Sequence, residues 1–156
     1  MTDTVSDGAP PKTVGGSLLN DALRVLKGLQ SATSAGVNYR DYAPRVTDAK
    51  IQVDQILGEA PDGPLKTALA EALGFYVYAS NAWNAGIARS NYEAVALNPL
   101  FEKCEPLKRK IESLDSRSWV PGATGRGIAI AISGVEPLFN CANERVIAAE
   151  RLLRGQ

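Results

Sequence analysis

The chain has 156 residues, enough for one domain with a real hydrophobic core, and its composition (45% apolar, 22% charged) excludes wholesale disorder. Its 17 basic and 17 acidic residues cancel, so no net charge draws it to nucleic acid or to an anionic membrane surface. Histidine is absent, which removes histidine acid–base chemistry, histidine triads, histidine-ligated haem and the Glu-x-x-His motif of di-iron bundles.

Residues 1–16, rich in Gly, Pro, Thr and Asp, predict a flexible tail before a bundle domain of residues 17–156. Asp3 and Asp7 stand where a signal peptide would carry positive charge, no apolar core follows them, and no run is long enough to span a bilayer. Cytoplasmic location is the default, and export is the alternative if a leader has been removed.

Ser17 predicts an N-cap for a first helix whose stripe is Leu19, Leu23, Leu26 and Leu29, ending at Gly36. A second helix is expected from an Asp41 cap, with Pro44 in its first turn and Tyr42, Val46, Ala49, Val53 and Ile56 on one face. Lys50 and Asp54 form an outer pair one turn apart.

Pro64 opens the third helix. Leu65, Leu69, Leu73, Tyr76, Ser80, Trp83 and Ile87 make its stripe, and Phe75, Tyr78, Ala79 and Ala82 lie outside it. A helix this apolar around its circumference belongs at a bundle centre or at an oligomer interface.

Asn98-Pro99 predicts the start of a fourth helix, with Leu100, Cys104, Leu107, Ile111 and Leu114 at heptad spacing and a kink at Pro106. Residues 116–125 read as a turn. The segment 127–134, GIAIAISG, alternates as a strand would. Ile128, Ile132, Val135, Phe139, Ala142, Val146, Ala149 and Leu153 nonetheless continue one heptad series, and a lone strand has no partner, so a long helix bent near Pro137 is expected.

Cys104 and Cys141 read as small buried hydrophobes with no base to activate them. In a tight hairpin of the last two helices, Cys104 falls opposite residue 134, roughly 10 Å along the helix from Cys141. That exceeds the ~7 Å limit for a bridge, unless a bend at either proline changes the count. Asp41, Asp48 and Asp54 alternate with Arg40, Arg45 and Lys50 and read as a solvated face. Gly122, Gly125 and Gly127 lack a phosphate-loop lysine and read as a turn with close packing, with Arg126 left as an anion contact.

The aromatic residues Tyr42, Phe75, Tyr76, Tyr78 and Trp83, with Tyr39 beside them, are the candidate ligand or interface residues. No catalytic residue, metal ligand or cofactor is expected. Residues 34–57 and the SNAWNAGI segment, 80–87, resemble a group of uncharacterised bacterial α-helical proteins. That resemblance implies an all-α fold and no activity.

The expectation is therefore a soluble, all-α, antiparallel bundle of four to five helices. Its expected role is that of a non-enzymatic interaction or scaffold protein, a homo-oligomer or the partner of another protein, with binding of an apolar small molecule as the alternative.

Overall fold

The computed structural model describes residues 11–114 and 122–155, with side chains from residue 17 onward. Among these residues there are seven α-helices, one 3-10 turn and no strand: α1 (Pro11–Ala35), α2 (Tyr39–Glu59), α3 (Pro64–Ala88), α4 (Tyr92–Ala96), the 3-10 turn Pro99–Lys103, α5 (Glu105–Glu112), α6 (Gly122–Ser133) and α7 (Val135–Arg154). The fold is all-α, but seven helices replace the expected four to five. No helix of the described residues is long and apolar enough to cross a membrane.

Helix α1 begins at Pro11, six residues ahead of the expected Ser17 cap and inside the expected tail, because proline's fixed φ suits a first helical turn. The rest of that tail, residues 1–10, lies outside the described residues. Helix α2 also starts early. Its N-cap is Asn38, whose side chain accepts a hydrogen bond from the Asp41 amide at 2.9 Å. Pro44 therefore sits in the second turn, where its missing N–H leaves the Arg40 carbonyl without an intrahelical partner. Helix α3 starts at Pro64, as its sequence predicts, and ends on Arg89 with a left-handed φ of 55°.

The fourth expected helix is divided. Asn98 caps the 3-10 turn by accepting from the Leu100 amide at 2.9 Å, and the chain then opens at Cys104 (φ −117°, ψ 90°) before α5. Pro106 cannot sit deep in a helix, so it takes a first-turn position in α5 and the break falls just ahead of it. The last segment is helical throughout, which removes the strand alternative, but it breaks at Gly134 rather than bending at Pro137. A Cβ on Gly134 would stand 2.6 Å from the Ile130 carbonyl oxygen and 2.9 Å from Leu107, so the tight corner requires glycine. Residues 122–125, expected as turn, form the first turn of α6, and the remainder of that expected turn, 116–121, lies outside the described residues.

Helix α3 is the centre of the molecule. It packs against α7, α2, α6 and α1, and eleven of its residues, from Leu65 to Ala85, are buried. Its apolar excess is thus used within the chain. Glu71 meets Arg145, Tyr76 meets Asn143 and Trp83 meets Phe139, so α3 and α7 run antiparallel. Helix α6 reaches α4 through small residues. A Cβ on Gly127 would lie 1.8 Å from the Tyr92 carbonyl oxygen, so only glycine lets the two backbones approach this closely.

Candidate functional site

The five aromatic candidates do not form one cluster. Tyr42 is wholly buried, and its hydroxyl donates to the Tyr76 carbonyl at 2.8 Å. Its ring meets Phe139 of α7 edge-on at 5.1 Å and lies 5.9 Å from Trp83 of α3. Tyr39 also packs on Trp83, with ring centres 5.6 Å apart. Tyr42 and Trp83 therefore converge, and they do so with Phe139, which heptad spacing marks only as core. A single aromatic in a seam of aliphatic residues carries no sequence signal that separates wall from core.

Tyr76 contributes through its hydroxyl, which donates to Asn143 Oδ1. Phe75 and Tyr78 point elsewhere. Phe75 is buried beneath the Arg145 guanidinium, 5.4 Å from its ring centre. Tyr78 donates to the Val95 carbonyl at 2.8 Å and ties α3 to α4. Burial pushes the phenols of Tyr42, Tyr76 and Tyr78 far above their ordinary value near 10, Tyr42 being raised further by the neighbouring Tyr76. All three remain neutral donors at any physiological pH.

An open groove of about 1150 Å³ lies in front of the Trp83–Phe139 pair. Both rings are half-buried and line it. One side is the end of α1 and the link to α2, at Thr33, Ser34 and Val37. The opposite wall is α5, which presents Pro106, Arg109 and Lys110. The α6–α7 corner supplies the floor, from Ala131 to Pro137, continued by Asn140 and Asn143 of α7. Ile132 there is 67% exposed. Because Tyr76 occupies Oδ1 of Asn143, the amide N–H groups of that side chain remain available as donors along the groove. Such a groove offers apolar faces, a few fixed hydrogen-bonding groups, and Arg109, Lys110 and Glu136 at its rim.

Directly behind the α5 wall, Cys104 is joined to Cys141 by a disulfide, with Cα atoms 5.9 Å apart. This corrects the expectation from spacing, which disfavoured a bridge unless a bend at either proline changed the count. That expectation treated the last two helices as a straight hairpin. The corner at Gly134 turns α7 back beneath α5 instead, and the open linker lets Cys104 face it. Cys104 Sγ also touches the Pro137 carbonyl oxygen, at 3.6 Å. With both cysteines bonded, neither offers a thiol.

The remaining polar candidates are structural or solvated. Asp41, Asp48 and Asp54 are exposed, and Lys50 pairs with Asp54. Arg126 donates to the Ala96 carbonyl at 2.8 Å and lies over the Phe101 ring at 4.7 Å, fastening α6 to the end of α4 and to the 3-10 turn. Glu71 accepts from Lys103 at 2.9 Å and from Arg145 at 2.8 Å. The Lys103 bond, assisted by Arg145, holds its carboxyl below the usual range against the opposing effect of burial.

No protein-family model, curated protein or solved structure matches the chain, so geometry is the sole ground for a functional assignment.

Proposed function

We propose that this chain is a non-enzymatic binding protein that takes an apolar, aromatic-sized small molecule into the groove between α1, α5 and the α6–α7 corner. The supporting observation is the pair Trp83 and Phe139, half-exposed on the groove yet braced from behind by Tyr39 and Tyr42. Braced aromatic faces bind with little ordering cost, which favours a ligand ring stacked against them. Nucleophilic chemistry has little support, since both cysteines are bonded and the three buried phenols are committed to fixed acceptors.

The test uses the Trp119→Phe variant, which leaves Trp83 as the sole indole, titrated with the neutral probe N-phenyl-1-naphthylamine. Saturable quenching of Trp83 is expected, with affinity falling at least tenfold in Phe139→Ala and in a probe-fluorescence titration of Trp83→Ala. Binding that neither substitution alters would remove the proposal.

A second reading is association with another copy or another protein. Its support is Ile87 and Ile132, 60% and 67% exposed near this same end of the molecule. Helix α3 contributes little beyond Ile87 and the half-buried Trp83, because most of its apolar surface is buried in the chain. Light scattering across a concentration series separates the two readings: ligand binding alone goes with a monomer, and a concentration-dependent dimer lost in Ile87→Ser favours association.

A further inference from the structure

The disulfide joins the α5 wall of the groove to the helix of its floor. Cys104 is the N-cap residue of α5, whose Pro106, Arg109 and Lys110 form one wall, and Cys141 lies on α7 between Phe139 and Asn143 of the floor. Helix α5 has eight residues and a single buried side chain, Leu107. A helix so short has little stability of its own. Its position rests on Leu107, on the partly buried Ile111, on the Lys103–Glu71 ion pair just before it, and on the covalent bond at its N-cap. Lys108 pairs only with Glu102 and Glu105 among the described residues, which are local partners and do not fasten α5 to the rest of the fold.

We propose that Cys104–Cys141 is a redox latch for the groove: the oxidised bond holds α5 as a wall, and reduction by a dithiol frees α5 and releases the ligand. This inference rests on the reading of the groove as a ligand site. A thiolate of the dithiol attacks one sulfur and displaces the other cysteine as a thiolate. The second thiol of the reductant then displaces the first cysteine, forming the reductant's disulfide. The protein gains two electrons and two protons and is left with two cysteine thiols. Cys104 and Cys141 are 0% and 1% exposed, so α5 must lift before either sulfur can be attacked. A ligand that bridges wall and floor resists that motion. Linkage makes the coupling reciprocal, so oxidation favours ligand and ligand protects the disulfide.

The experiment compares the oxidised Trp119→Phe protein with the same protein reduced by dithiothreitol, using N-phenyl-1-naphthylamine as the probe and hydrogen exchange as an independent readout. Reduction is expected to weaken the probe at least tenfold. Exchange in Glu105–Glu112 should accelerate at least tenfold while α3 keeps its protection, and saturating probe should slow reduction several-fold. The Cys104→Ala/Cys141→Ala protein should match the reduced state without any reductant. Equal affinity in both redox states overturns the latch, as does loss of α3 protection together with α5, which means global unfolding. Absence of binding to the oxidised protein overturns the ligand-binding reading itself, a result distinct from equal binding in both states.

Discussion

Cys104, in the open linker before α5, is bonded to Cys141 in the body of α7, 37 residues along the chain. Neither residue is exposed, and the bond closes a loop that contains α5, α6 and the corner at Gly134. A loop of this length restricts the unfolded chain by about 4 kcal/mol in the chain-entropy model. The Cys104→Ala/Cys141→Ala protein is expected to lose about 2–4 kcal/mol in urea denaturation, and wild-type protein unfolded with and without reductant should show the same difference. Coincident curves contradict the bond's stabilising role.

Two glycines separate close packing from idle flexibility. Gly127→Ala places a methyl group against backbone at Tyr92, and neither backbone can yield without separating α4 from α6. A loss of about 3 kcal/mol or more is expected. Gly28 lies inside α1 with nothing within 4 Å of the place an added methyl group would take, so Gly28→Ala should stabilise by about 0.5–1 kcal/mol. Thermal denaturation of the two variants should shift in opposite directions.

The buried phenols set the alkaline limit. In the unfolded chain Tyr42, Tyr76 and Tyr78 ionise near pH 10, whereas burial keeps them protonated in the fold. Above pH 10 the unfolded state binds fewer protons, so stability falls as pH rises. Absorbance at 295 nm should show the tyrosinate signal of these three residues appearing together with loss of helical circular dichroism. Their ionisation with the helices intact contradicts the burial.

Glu71 sets an acid limit of opposite sign. Its folded pKa is lowered, chiefly by the Lys103 hydrogen bond. Its contribution is therefore fully present above the unfolded carboxyl pKa and is lost as pH falls through the folded one. Glu71→Gln should cost roughly 1–2 kcal/mol at pH 7 and less at pH 3, as read from urea midpoints. An equal cost at both pH values contradicts the ionic role of the residue.

Helix class was legible because the stripes of α1, α2 and α3 recur at helical spacing, and the Pro64 start is local chemistry. The breaks were less so. Heptad spacing runs unbroken through Cys104 and Gly134, yet Pro106 at the first and a glycine corner at the second divide each segment, because backbone sterics override side-chain periodicity there. The disulfide depended on those breaks and was lost with them. Tyr42 and Trp83 were visible as aromatics. Phe139 joins them only because α7 folds back antiparallel to α3, a tertiary fact with no local signature.

The central claim, that the groove before Trp83 and Phe139 is a ligand site, is tested most directly by nitrogen-15 NMR of the oxidised protein titrated with N-phenyl-1-naphthylamine. Ligand binding there predicts saturating shifts at the Trp83 indole N–H, at the Asn140 and Asn143 side-chain amides, and along residues 33–37, 106–110 and 131–139, with α2 beyond Val46 unaffected. Shifts scattered over the surface, or none at the Trp83 indole at saturating probe, contradict it.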